Sequence, residues 1–339
     1  MTSAMYREAA EAPAALARQL AANREAVREL VRRLKASPPR AVVTVARGSS
    51  DNAATYAKYL IETRLGLLTA SAAPSVSSVY RSRTNMQGVL VLAISQSGRS
   101  PDLVASLEQA RAAGAFIVGL VNAEGSPLEN IAHVTLPLHA GPEISVAATK
   151  SFVASLAALA NLVALWSGDQ ELDDQIALLP GLLEQAWACD WTPGLPVLVG
   201  ARDLYVIGRG VGFGAAQEAA LKLKETCNLH AEAFSAAEVA HGPMALVREG
   251  FPVLVFSQND ESRDGIEAMT ERFSANHARL LLAGFTAPGA ITLPTVAAAA
   301  VLEPIAMIHS FYRMAEALSR ARGLDPDAPP HLQKITETL

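Results

Sequence analysis

The chain has 339 residues, half of them apolar, a net charge of −5 and two cysteines. That length suggests roughly two domains of about 150 residues each. The acidic balance gives no basic field for nucleic acid, so an anionic ligand must be held by a local device. Cys189 and Cys227 show neither a disulfide framework nor metal-ligand spacing, and two reduced thiols fit a cytoplasmic protein.

Residues 3–36 are studded with Arg and Glu. No secretory leader is expected from such a charged stretch, and one or two amphipathic helices are predicted, ended by Ser37-Pro38-Pro39. The period then changes. Ala41–Ala46 (AVVTVA) reads as a strand buried on both faces, followed by the turn Arg47-Gly48-Ser49-Ser50 and a helix over Asp51–Arg64. Val89–Ile94 is a second strand, with Ser95–Ser100 and a helix over Pro101–Ala113 after it; Ala115–Val121 and Val134–Leu136 are further strands. The longest apolar stretch, Ile144–Trp166, contains Lys150 and small polar residues. It is expected to be a buried core helix and not a membrane span.

The second half follows the same plan. Strands are expected at Leu204–Ile207, Phe251–Phe256, Arg279–Ala283 and Ile291–Leu293, with helices over Gly212–Asn228 and Val296–Arg322. Strands alternating with helices predict parallel sheets. Arg47-Gly48 and Arg209-Gly210 lie 162 residues apart, and so do Ser95-Gln96 and Ser257-Gln258. Equal offsets at two landmarks argue for a duplicated α/β unit. The boundary is expected within 168–198, which carries Pro180, Pro193 and Pro196.

Ser95-Gln96-Ser97-Gly98-Arg99-Ser100-Pro101 lies between a strand and a helix. Hydroxyls, a glycine and the N–H groups of a helix start make a cradle for phosphate. The bland alternative is ordinary capping by Ser100, but capping needs one hydroxyl and three are present. The second copy reads Ser257-Gln258-Asn259-Asp260-Glu261, whose two carboxylates would repel a phosphate. Ser49 and Ser50 sit at a carboxyl-end loop, where they could touch the same ligand or cap the next helix.

The densest polar segment is Glu218–His241. Glu218, Lys222 and Glu225 are spaced i, i+4 and i+7 and share one helix face, while Lys224 falls on another and is expected in solvent. A surface salt bridge is the bland alternative and would be worth little. His230 reads best as a satisfied core histidine. A carboxylate, a neighbouring cation and an imidazole, here His241, are nevertheless what proton transfer beside a carbonyl needs.

Taken together, SQSGRSPD, the Gly141–Lys150 segment (GPEISVAATK), LKLKE and HAEAF…HGP resemble the SIS-domain isomerase half of glutamine–fructose-6-phosphate aminotransferase. The likeness runs from Met5–Pro13 to the tail. It implies an α/β fold of two tandem SIS domains, each a flavodoxin-like parallel-sheet sandwich. The helical segment would be 1–36, a phosphate-binding domain 37–180, a domain with the acid–base helix 195–325, and a tail closing the site 326–339. The resemblance implies that Ser95, Gln96, Ser97 and Ser100 bind a 6-phosphate, helped by Ser49 and Ser50. Glu225 would move the C1/C2 proton, and Lys222 would support an enediol-like intermediate. His241 would open the sugar ring from the partner subunit of a homodimer. Lys334 matches a tail lysine that forms a Schiff base, and Val146 and Ala147 would line the sugar through backbone groups. No metal or other cofactor is implied.

Three features depart from the synthase pattern. The chain opens Met1-Thr2-Ser3, so no glutaminase domain is expected, Ala148 stands where the synthase has Ser, and the tail reads Pro329-Pro330-His331-Leu332-Gln333-Lys334. ARGSSD, SQSGRSPD, AATKS and HAEAF resemble the stand-alone SIS-type glucosamine-6-phosphate deaminase. The expected reaction is therefore conversion of glucosamine 6-phosphate to fructose 6-phosphate and ammonia. Ammonia-dependent synthesis, plain aldose–ketose isomerisation, the galactosamine 6-phosphate version and a non-catalytic sugar-phosphate sensor are the alternatives.

Overall fold

The AVVTVA run forms β1, Ala41–Val45, in the computed structural model, which describes residues 2–334. Residues 335–339 of the expected closing tail lie outside the described residues. Next come β2 (Thr69–Ser71), β3 (Val89–Ser95), β4 (Phe116–Val121) and β5 (Val134–Pro137). They make one all-parallel sheet in the order β2-β1-β3-β4-β5. Every residue of β3 is buried, as expected of a strand covered on both faces.

A second all-parallel sheet contains β6 (Asp203–Gly208), β7 (His230–Ser235), β8 (Pro252–Phe256), β9 (Arg279–Ala283) and β10 (Ile291–Leu293). Its order is β10-β9-β8-β6-β7. Read from the β7 edge, this is the same permutation as the first sheet: second, first, third, fourth, fifth. In both, the strand order reverses between the first and third strands, where ligands bind in such sheets. The matched sequence landmarks fall there, Arg47 and Arg209 after β1 and β6, Ser95 and Ser257 at the ends of β3 and β8.

The chain divides into two compact units. One comprises Ala14–Glu143 and Lys150–Ala177 with Lys334, and holds the first sheet around Val45, Val91, Leu103, Leu107 and Ile117. The other comprises the residues up to Pro13, Ile144–Thr149 and Leu178–Leu332, and holds the second sheet around Ile207, Val253, Ile266, Phe273 and Leu282. The helix Lys150–Ser167 is long and apolar enough to cross a membrane, but nearly all of its side chains are buried, including Lys150.

Several boundaries differ from the sequence expectation. The edge strands β2 and β7 are additional. Three residues are too few to show a period, and β7 is half polar because one side of an edge strand faces solvent. The last helix is Glu303–Ala321, not Val296–Arg322, because Pro304 suits only the first turn. The proline-bearing stretch after 168 is largely the helix Gln170–Ala188, with Pro180 inside it. His230 opens β7 and is exposed, so it is not a core histidine.

Candidate active site

At the first reversal point, β3 ends in Ser95 and the helix Pro101–Ala112 begins six residues after it. Ser95 Oγ accepts the Gly98 N–H at 2.9 Å and Ser97 Oγ accepts the Arg99 N–H at 3.4 Å. A hydroxyl accepting on its oxygen keeps its own hydrogen for donation. Ser100 occupies the cap position, yet its side chain makes no capping bond, so the bland alternative does not describe this loop. Gly98 has φ +63°, and a Cβ there would lie 2.5 Å from Ser126 Oγ and 2.9 Å from Val121 Cγ2. The tight turn thus requires glycine for both conformation and space. Gln96 and Ser97 are half-buried.

The neighbouring loop after β1 turns at Gly48 (φ 56°), which is itself the cap of the helix Ser49–Leu65. Ser49 and Ser50 therefore lie in the first helical turn and are not its caps. Arg47 donates to Asp102 through Nε at 2.8 Å, with a second guanidinium nitrogen at 2.7 Å. Asp102 is buried, and the pair ties the two loops of the reversal point together. Asp102 escaped the sequence reading; its only local signal is an acidic residue in a first helical turn after Pro101.

The equivalent place in the second sheet is filled by the chain itself. Glu303 accepts the Asn259 N–H at 2.6 Å, and Asp260 accepts the Ser262 N–H at 2.9 Å. Gln258 Nε2 donates to the Arg209 carbonyl at 2.8 Å, and a Cβ on Gly212 would lie 2.3 Å from Gln258 Oε1. Burial pushes the Glu303 carboxyl up, while the Asn259 N–H and Arg263 work against that rise. Carboxylates occupy the loop N–H groups that an anion would need.

The helix Phe213–Cys227 carries Glu218, Lys222 and Glu225, the residues expected to do acid–base work. Lys222 is hydrogen-bonded to Glu225, and its ammonium lies 3.5 Å from Glu218. Tyr312, unnoticed in the sequence, donates its hydroxyl to Glu218 at 3.3 Å. Glu218 and Lys222 are fully buried, whereas the Glu225 side chain is 21% exposed. This is a buried cluster with one carboxylate reaching outward, not a surface salt bridge. Glu225 lines a cavity of about 530 Å³ together with Leu221, Asn228, Leu324, His331 and Leu332. Lys224 is exposed. His241 is exposed at the end of the 3₁₀ turn Glu238–His241 and makes no hydrogen bond to Glu225 or Lys222 among the described residues.

In the unit of the first sheet, Lys334 Nζ stands 3.4 Å from Glu143 Oε2. Glu143 is buried and also accepts the Ser151 hydroxyl (2.6 Å) and N–H (3.2 Å). In the other unit, Val146 is half-buried and Ala147 buried, in a segment without regular structure. The structure thus groups Ser49, Ser50 and Ser95–Ser100 at one reversal point, pairs Lys334 with Glu143, and groups Lys222 and Glu225 with Glu218. No hydrogen bond joins His241 to that last cluster among the described residues.

Comparison with known proteins matches the SIS domain at residues 37–165 and 197–302. The glutamine–fructose-6-phosphate aminotransferase (isomerizing) of Aeropyrum pernix is 34% identical over 311 residues, covering 86% of this chain and 50% of that protein. The chain spans about half the length of the curated relatives it matches. A candidate phosphosugar isomerase from Silicibacter pomeroyi superposes with a TM-score of 0.90 at 43% identity, covering 96% of this chain and 100% of that one. The C-terminal domain of glucosamine-fructose-6-phosphate aminotransferase from Francisella tularensis superposes with a TM-score of 0.88 at 26% identity, covering 97% of this chain and 99% of that one.

Proposed function

The chain belongs to the SIS domain family, and from that premise we propose that it converts glucosamine 6-phosphate and water to fructose 6-phosphate and ammonia. The observation that carries this reading is the Glu218–Lys222–Glu225 cluster, a buried ammonium beside a carboxylate that reaches into a cavity.

The Ser95–Ser100 loop holds the 6-phosphate with backbone N–H groups and hydroxyls, assisted by Ser49 and Ser50. Ring opening exposes the C1 aldehyde, and His241 carries the anomeric proton, supplied by a second copy of the chain. Glu225 takes the C2 proton and returns it to C1. Lys222 offsets the negative charge that develops on oxygen between the two transfers. With O1 taking up a proton and the C2 amine giving one up, the product of that step is a C2 imine. Water adds to C2, and the C–N bond breaks to leave the ketone and ammonia. Val146 and Ala147 line the sugar through their backbone, and Lys334 closes over it from the tail. Residues 37–180 and 195–325 act as phosphate-binding and acid–base domains.

The test is ammonia and fructose 6-phosphate release from glucosamine 6-phosphate by purified protein. Stoichiometric appearance of both supports the reading. Binding without ammonia sinks it for this sugar, and assays with the galacto epimer and with fructose 6-phosphate plus ammonia then separate the alternatives. Glu225→Gln should lower turnover by about 10²-fold or more while sugar-phosphate binding persists; a sensor would be indifferent. A strictly monomeric form with full activity would remove His241 from its cross-subunit role.

A further inference from the structure

We propose that the N-terminal helix Ala4–Ala10 is a strut joining the sugar segment Ile144–Thr149 to the C-terminal tail, with Glu8 and Asp327 as its positioning residues. The consequence for catalysis rests on the reading above of Val146 and Ala147 as sugar-lining; the mechanical coupling does not.

Glu8 is buried, and its carboxylate accepts the backbone N–H of Ile144 at 2.5 Å and of Ser145 at 3.1 Å. These two residues immediately precede Val146. The opposite end of the same helix is bound to the tail. The N–H groups of Ala4 and Met5 donate to Asp327 at 2.6 and 2.8 Å. Ser3 anchors that end, accepting the Tyr6 N–H at 3.1 Å and donating to Glu316 of the last helix at 2.8 Å. Tyr6 also meets the edge of Trp187 with ring centroids 5.0 Å apart. Asp327 belongs to the same tail segment as Leu324, His331 and Leu332, which wall the cavity of Glu225.

A seven-residue helix has no stability of its own in water, so its order comes from these contacts. Residues 144–149 and 325–332 have no helix or strand either. Hydrogen bonds from a carboxylate to backbone N–H groups are among the stronger ones a chain can make. Three elements that are weak alone therefore order one another. A loosened tail should loosen residues 144–149, and the reverse.

Hydrogen–deuterium exchange on the full chain tests this directly. In Glu8→Gln, exchange should rise about tenfold at 144–149, the loss expected when charge-assisted bonds are removed, and it should also rise at 325–332, which Glu8 does not touch. In Asp327→Asn the same two segments should respond in the opposite order of magnitude. With glucosamine 6-phosphate, kcat/KM should fall about tenfold in both variants, while the affinity for inorganic phosphate at the Ser95–Ser100 loop stays as in the wild type. An exchange increase confined to the mutated contact, in either variant that folds, overturns the strut. Coupled exchange in a wild-type protein that releases no ammonia would leave the strut standing and remove the proposed reaction.

Discussion

Arg47, in the loop after β1, reaches Asp102 in the helix after β3 and donates to its buried carboxylate at 2.8 Å. The two loops that carry Ser49, Ser50 and Ser95–Ser100 are held in one geometry by that pair. Asp102→Asn keeps the shape and removes the charge. A buried partner of a half-exposed arginine is worth less than a fully desolvated one, so the stability loss should be about 1–2 kcal/mol. The affinity for phosphosugar should fall with it, read as a rise in KM or in the Kd for inorganic phosphate.

Gly98→Ala should be the most damaging single-methyl change in the Ser95–Ser100 loop. The new Cβ has no room beside Ser126 and Val121, and the left-handed backbone disfavours it further. A stability loss of about 1–3 kcal/mol is expected. Phosphate binding should weaken more than the melting temperature suggests, because the loop must shift to relieve the contact. Calorimetric titration with inorganic phosphate, beside thermal denaturation, measures both.

Lys222→Met removes the cation between Glu218 and Glu225 and leaves Glu218 buried beside Tyr312. Breaking a buried pair in this way costs about 3–5 kcal/mol. Adding Glu218→Gln removes the stranded charge and should recover much of that stability. Turnover should stay low in the double variant, because the ammonium is still missing. Urea denaturation and the ammonia assay on both proteins separate the folding role of Lys222 from its chemical one.

His309 lies fully buried on the last helix, its ring centroid 5.0 Å from that of Trp187 in a tilted pair, and neither ring nitrogen has a hydrogen-bond partner among the described residues. Burial lowers its pKa from 6.5 to about 3. The unfolded chain takes up a proton near pH 6.5, and the folded chain only near pH 3. This group's contribution is therefore present above pH 6.5 and is lost progressively as the pH falls toward 3. Between pH 7 and pH 5 the loss should be about 2 kcal/mol. His309→Phe should flatten that part of the stability profile in urea titrations at the two pH values.

Patterns between near neighbours along the chain were legible from residue types alone. The apolar, β-branched runs of β1, β3 and β8 read as buried strands and are so in the structure. The common offset of Arg47-Gly48 and Ser95-Gln96 from their second copies matched the shared strand order of the two sheets. The spacing of Glu218, Lys222 and Glu225 placed them on one helix face, which the helix Phe213–Cys227 carries. The short strand β2 and the polar strand β7 were not legible, since pairing at a sheet edge needs no apolar period of its own.

What the sequence by itself determined was therefore local: the α/β class, the duplication, the serine-rich turn and the helix face shared by Glu218, Lys222 and Glu225. Partners distant in the chain were decided only by tertiary structure. Asp102 became the anchor of Arg47 because β1 and β3 are neighbours in the sheet. Glu303 came to fill the second reversal point, and Tyr312 to bind Glu218, because the last helix packs on these elements. The burial that separates Glu218 and Lys222 from Glu225 also arose there. Periodicity reports which face of a helix a charge occupies, and only the packing above that face sets how much water the charge keeps.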